Sequence, residues 1–202
     1  ATPRGGPREA FYNVQEFRAW QERVGAAAAA AADVRYLKGL GSSTTADARR
    51  YFEELDRNSV SITFDGAKDR PALHRAFHSD EADARKLWLA QYDDSEVLDY
   101  GTMREVSVSD WVDREFKHYS VADNVRSIPN LADGLKPAQR KVLHACLERR
   151  VMRPDKVSQL AAAVAGHTAY HHGSASLEQT IVGMAQTFPG SNNWNLLHPE
   201  GQ

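Results

Sequence analysis

Apolar and polar positions along this chain fall into short blocks, and most of the blocks repeat with a helical period. Leu177, Ile181, Met184, Ala185 and Phe188 line one side of a helix predicted over 174–188. Val142, Leu143, Cys146 and Leu147 form the apolar side of another. It starts at Pro137, where a missing N–H costs nothing, and runs to Arg150. A further helix fits 155–165. Upstream, Ala48, Tyr51, Phe52 and Leu55 share a helix face that ends near Leu55. Ser43, Thr44 or Thr45 can cap that helix, with Asp47 in its first turn. Short helices are predicted over 72–79 and 82–92. Ser109 is the expected cap of one more, with Val112, Phe116 and Tyr119 on its apolar face.

Strand signals are few. Val34-Arg35-Tyr36-Leu37 has strand composition, and Val60-Ser61-Ile62-Thr63-Phe64 alternates as a half-buried strand does. An amphipathic stretch surrounds Phe17 and Trp20, and the alanine run from Ala26 to Ala32 reads as a helical or disordered insertion. Acidic, turn-rich sequence from Asp93 to Gly101 is the expected boundary between two domains, 1–100 and 101–202. Asp123 to Pro129 reads as a loop. The helices flanking Gly166 to Gly173 have the outline of a helix-turn-helix. A basic helix ahead of them completes a three-helix unit of the winged-helix kind. The fold class expected is α+β, mostly helical.

Charge sharpens this outline. The 202 residues carry a formal net charge of −2, yet residues 114–202 hold 10 Lys/Arg against 7 Asp/Glu, a net of +3. Residues 1–113 hold 15 against 20, a net of −5. Two readings of this asymmetry stand: a local basic field able to bind a polyanion on a slightly acidic molecule, or an ordinary solvated surface. No run of 18 apolar residues is present, which leaves no membrane-spanning helix. The single cysteine, Cys146, forms no internal disulfide and reads as a small buried apolar residue.

Three segments carry candidate chemistry. Lys38-Gly39-Leu40-Gly41 lacks both the third glycine of a dinucleotide fingerprint and Walker spacing. Two readings stand: a tight strand-to-helix turn, or a phosphate cradle with Lys38 as a mobile charge. Asp133 to Lys141 sets Lys136 at a glycine turn just before a proline-started helix, with Arg140 and Lys141 in its first turns. Cations oppose the dipole there, so an external anion such as DNA phosphate is expected to offset them. Tyr170, His171 and His172 lie between two helices, with Ser174 and Ser176 beyond. Consecutive histidines rarely converge on one metal ion, so hydrogen bonds to phosphate or sugar oxygens are the better reading. No Gly-x-Ser-x-Gly elbow or His-Glu-x-x-His pair supports hydrolase chemistry.

Seven stretches, in order, resemble type IIA topoisomerases of the eukaryotic kind. They are residues 36–44, 83–89, 122–130, 133–143, 156–161, 169–173 and 190–197, and the likeness runs from about Phe11 to Gln202. The resemblance implies the end of a TOPRIM-type α/β region followed by a winged-helix domain that grips DNA. It places Arg85, Lys86, Lys136, Tyr170 and Ser176 on DNA, and Lys38, Arg126, Arg140, His171 and His172 along the same groove. It implies a homodimeric, ATP- and magnesium-dependent enzyme acting on double-stranded DNA, with no membrane partner. The nucleus is the default location, although mitochondrial or viral copies look alike at this length. The family's magnesium ligands and nucleophilic tyrosine are expected outside residues 1–202, so this segment is expected to hold DNA without cutting it. None of the seven tyrosines has the nucleophile's context, and no metal ligand or ATP site is expected within the segment. Ala138 stands where the family usually has glycine. A stand-alone, non-enzymatic winged-helix module and a scaffold that binds no DNA are the alternatives.

Overall fold

The computed structural model describes residues 9–35, 43–170, 172–191 and 193–200. The chain divides into two compact units, Ala1–Val121 and Ala122–Gln202. Lys38 and His171 lie outside the described residues, as do Tyr36 and Leu37 of the strand-like Val34 to Leu37 stretch and the glycine turn after it.

The first unit opens with α1 (Val14–Val24), whose N-cap Asn13 accepts from the Glu16 N–H at 2.8 Å. Its buried Trp20 packs against Phe11 and Phe17, each with ring centroids 5.6 Å away. Gly25, at φ +83°, ends α1 and lets α2 (Ala26–Ala31) start in a new direction, so the alanine run is helical. Of the three candidate caps, Thr44 starts α3 (Thr45–Glu53). Thr44 Oγ1 accepts from the Asp47 N–H at 3.2 Å, and Asp47 Oδ2 accepts from the Thr44 N–H at 3.0 Å. The helix breaks at Glu54, and α4 (Leu55–Asn58) follows. The expected apolar face is only half covered: Ala48 and Tyr51 are half-buried, but Phe52 is 74% exposed and Leu55 is exposed too.

Strand β1 (Ser61–Thr63) pairs in parallel with β2 (Glu105–Ser107), Ile62 opposite Val106. The half-buried strand expected over 60–64 is thus shorter and more open, with Ile62 and Phe64 exposed. All three residues of β1 are exposed, so no layer buries the alternate side chains.

Helices α5 (Arg70–Phe77) and α6 (Ala82–Ala90) appear where their periodicity predicts them. They pack with a long helix made of α7 (Val108–Trp111), a π-helical turn (Val112–Phe116) and α8 (Lys117–Ser127). Ala72, Ala76, Trp88 and Val112 form the buried core there. The cap of α7 is Ser107, whose hydroxyl accepts from the Asp110 N–H, not Ser109. The Ser109 N–H is taken instead by the buried Asp69 carboxylate at 3.0 Å. The π turn adds a residue, so the apolar stripe read with a 3.6 period slips out of phase and Tyr119 faces solvent. Asp113, inside that turn, accepts from Trp88 Nε1 at 2.7 Å and from Arg75.

The second unit begins within α8, which continues through Ser127. Residues 123–127 are therefore helical, not the expected loop. Asp123 accepts from Arg126 and Ser127 within the last turn, and Pro129 ends the helix through its restriction on Ile128. Then α9 (Pro137–Glu148), α10 (Val157–Thr168) and α11 (Ser174–Ala185) pack mutually around Val142, Ala145, Leu160, Ala161, Val164, Leu177, Ile181 and Met184. Two expected core residues fall outside this cluster. Leu147 is 68% exposed, because it sits about 200° round the helix from Ala145, which is buried in its place. Phe188 is exposed because α11 ends at Ala185, ahead of Pro189.

Helix α10 closes on Ala169, which adopts the left-handed conformation at φ +48°, ψ +48°. The N–H of Tyr170 reaches back to the Ala165 carbonyl at 3.4 Å. A left-handed alanine is strained by about 1–2 kcal/mol, and glycine relieves the strain at some entropic cost. Ala169→Gly is therefore expected to stabilise the chain by about 0.5–1 kcal/mol in thermal denaturation, whereas a lower midpoint would contradict the strain.

Candidate nucleic-acid interface

In the first unit α6 carries Arg85 and Lys86. The helix is seated by Trp88, whose ring lies 5.3 Å from the Arg75 guanidinium and 5.8 Å from the Lys117 ammonium. Arg85 Nη1 donates to the carbonyls of Arg75 at 3.1 Å and His78 at 2.6 Å, closing the C-terminal end of α5. One edge of this guanidinium is thus spent on the fold. Lys86 Nζ lies 2.8 Å from Asp83 Oδ1, and both side chains are exposed. The bond to Lys86 holds the Asp83 carboxyl below the ordinary carboxylate value. Such a pair contributes little in water, so Lys86 can exchange it for a phosphate.

The second unit concentrates the remaining candidates. The loop ahead of α9 is closed on itself. Asn130 Oδ1 accepts from the Ala132 N–H at 2.9 Å, Asp133 Oδ1 from the Leu135 N–H at 2.9 Å, and Gly134, at φ +68°, donates to the Asn130 carbonyl at 2.8 Å. This loop delivers Lys136 to the N-cap of α9, where its own N–H is held by Gln139 Oε1 at 2.8 Å. Lysine has no acceptor to return that cap. Arg140 is gripped bidentately by Asp133, with Nε donating to Oδ2 at 3.0 Å and Nη2 donating to Oδ1 at 3.0 Å. The Leu135 N–H, and then Arg140, hold the Asp133 carboxyl below the ordinary range.

The expectation of an external anion at this helix end is therefore only partly met from within. Asp133 neutralises Arg140, while Lys136 and Lys141 pair with no carboxylate among the described residues. Arg126 pairs with Asp123 at 3.0 Å, within its own helix.

Tyr170, His172 and Ser176 come together in the connection from α10 to α11. The Tyr170 hydroxyl donates to Ser176 Oγ at 3.4 Å, and its ring meets His172 edge-on at 5.4 Å. Helix α11 starts at Gly173 with no side-chain cap, which leaves backbone N–H groups and a positive dipole end facing outward beside Ser174 and Ser176. The structure brings in Lys141, which the charge pattern placed only in the first turns of α9. Its Nζ lies 3.4 Å from the Ala169 carbonyl oxygen and 5.8 Å from the Tyr170 ring centroid. Nothing local in the sequence links residues 141 and 169–170. Among the described residues no three His, Cys, Asp or Glu side chains converge to hold a metal ion.

Residues 2–124 match the family described as the C-terminal associated domain of TOPRIM, and residues 126–202 match the family of DNA gyrase and topoisomerase IV. The chain belongs to the type II DNA topoisomerase family. Probable DNA topoisomerase 2 of Dictyostelium discoideum is 44% identical over 192 residues, covering 95% of this chain and 12% of that protein. DNA topoisomerase 2 of Saccharomyces cerevisiae is 44% identical over 192 residues, covering 95% of this chain and 13% of its own length. The mitochondrial DNA topoisomerase 2 of Dictyostelium discoideum is 40% identical over 202 residues, all of this chain and 16% of that protein. The DNA-binding, cleavage and re-ligation domain of Plasmodium falciparum topoisomerase II superposes with a TM-score of 0.73 at 38% identity. That match covers 96% of this chain and 26% of the other. The chain thus spans between an eighth and a sixth of the length of these full-length relatives.

Proposed function

We propose that this chain is the DNA-gripping part of an ATP-dependent type II topoisomerase, which passes one duplex through a transient double-strand break in another. In such an enzyme a tyrosine hydroxyl attacks a phosphodiester, a phosphotyrosyl link forms as the deoxyribose hydroxyl leaves, and attack by that hydroxyl reverses the step. Magnesium, when bound, would stabilise charge at phosphorus. The residues here bind and position the duplex. The observation that carries this reading is that one three-helix unit holds Lys136 and Lys141, neither with a carboxylate partner among the described residues, and that Lys141 meets Tyr170, whose hydroxyl reaches Ser176 at the uncapped N-terminus of α11. Lys136 supplies charge, the hydroxyls and backbone N–H groups supply direction, and none of them reads base identity. By the family resemblance, Arg85, Lys86 and Lys38 of the first unit and Arg126, Arg140, His171 and His172 of the second also meet DNA. The functional assembly is a homodimer using magnesium and ATP, located in the nucleus or the mitochondrion. A stand-alone non-enzymatic module is not favoured, because the relatives carry the names of topoisomerases.

Lys136→Ala tests the reading by titration of a short duplex at several salt concentrations. Affinity is expected to fall several-fold and the salt slope to shrink by about one unit, for any DNA sequence. Unchanged affinity and slope would remove Lys136 from the interface. A chain that binds no duplex at any salt would support the scaffold alternative.

A further inference from the structure

We infer that Lys141 is a positioning residue, which clamps the connection between α10 and α11 and sets the direction of the Tyr170 hydroxyl. The inference deepens the DNA-gripping role proposed above and rests on it. The connection is a demanding piece of backbone. It leaves α10 through a left-handed alanine and must present Tyr170 with its ring partly packed on the core and its hydroxyl at Ser176. A left-handed exit leaves the Ala169 carbonyl pointing away from the helix axis, without the intrahelical partner it would have one turn earlier. Lys141 approaches from α9, 28 residues away in sequence, and brings its ammonium to that oxygen at 3.4 Å.

The same ammonium lies 5.8 Å from the centre of the Tyr170 ring, within the range of cation–π attraction. One charge thus holds both the backbone before Tyr170 and the ring itself. His172 closes the other approach, edge-on to the ring at 5.4 Å. A lysine whose only task was to meet a phosphate would have no need of either contact. Its neighbour Lys136, at the start of the same helix, makes no comparable contact among the described residues.

The test compares the 202-residue chain with Lys141→Met, Lys141→Arg, Tyr170→Phe and the Lys141→Met/Tyr170→Phe double variant. Without DNA, the Tyr170 ring resonances are expected to shift in Lys141→Met and to return towards their original positions in Lys141→Arg. Unmoved resonances would overturn the clamp whatever the chain binds. With a short duplex, Lys141→Met is expected to weaken binding about fivefold while leaving the salt slope nearly intact. Loss of about 0.9 in the slope would make Lys141 a direct phosphate contact instead. In the Tyr170→Phe background the Lys141→Met effect should largely vanish, and additive losses would show that Lys141 does not act through Tyr170. If the unaltered chain fails to bind duplex, the DNA-gripping role falls, while the resonance comparison still decides the clamp.

Discussion

Raising the salt from 50 to 200 mM is expected to weaken duplex binding by this chain about 40-fold, if Arg85, Lys86 and Lys136 each neutralise one phosphate. The estimate follows from counterion release. Each neutralised phosphate contributes about 0.9 to the logarithmic slope, so three contacts give about 2.7 over a fourfold change in salt. Arg140 is left out of the count because Asp133 already compensates its charge through a bidentate pair. Lys141 is left out because its ammonium faces a carbonyl and an aromatic ring. Fluorescence anisotropy on a labelled duplex measures the slope directly. A slope near zero would mean that the positive surface of the second unit does not meet the DNA backbone. A slope of about 4.5 would mean that Arg140 and Lys141 give up their internal partners when DNA arrives.

Leu177→Ala is expected to cost about 3 kcal/mol and to lower the unfolding midpoint of the second unit by about 12–24 °C. Leu177 is fully buried among Val142, Leu160, Ile181 and Met184, so truncation leaves a cavity that three packed helices cannot close cheaply. The same change weakens DNA binding, because Leu177 anchors the first turn of α11, where Ser174 and Ser176 sit beside the outward-facing N–H groups. Leu147→Ala is the matched control. Although the apolar pattern of α9 includes Leu147, its side chain is exposed, and its truncation should change stability by no more than about 0.5 kcal/mol. Equal effects at the two leucines, measured by thermal or urea denaturation, would contradict the packing described for this unit.

Much of the second unit was legible from periodicity alone. Leu177, Ile181 and Met184 recur at helical spacing and are all buried, and Pro137 starts α9 as its chemistry predicts. Periodicity worked there because each helix keeps a regular 3.6-residue turn from end to end. It failed at Leu147, an apolar residue on the open side of α9, and where the turn changed. The π-helical segment at Val112–Phe116 shifts the phase of the stripe and turns Tyr119 outward, and no residue type announces that inserted position. Residues 123–127 of the loop expected over 123–129 became helix, with the Asp123 side chain tying down Arg126 and Ser127, a local network that composition understates.

By itself, then, the sequence determined the main helices, the apolar stripe of α11, the basic bias after residue 114 and the ordered motifs that resemble a DNA-cleaving family. Only the tertiary structure decided which of the basic residues are compensated. Arg140 is held by Asp133 and one edge of Arg85 by two carbonyls, while Lys136 stands without a carboxylate partner among the described residues. It also brought Lys141 against Ala169 and Tyr170. The physical reason is range: helical period and charge count are set by neighbours a few residues apart. The partner of a charged side chain is set by where separate helices meet, and that follows from packing around Val142, Val164 and Leu177.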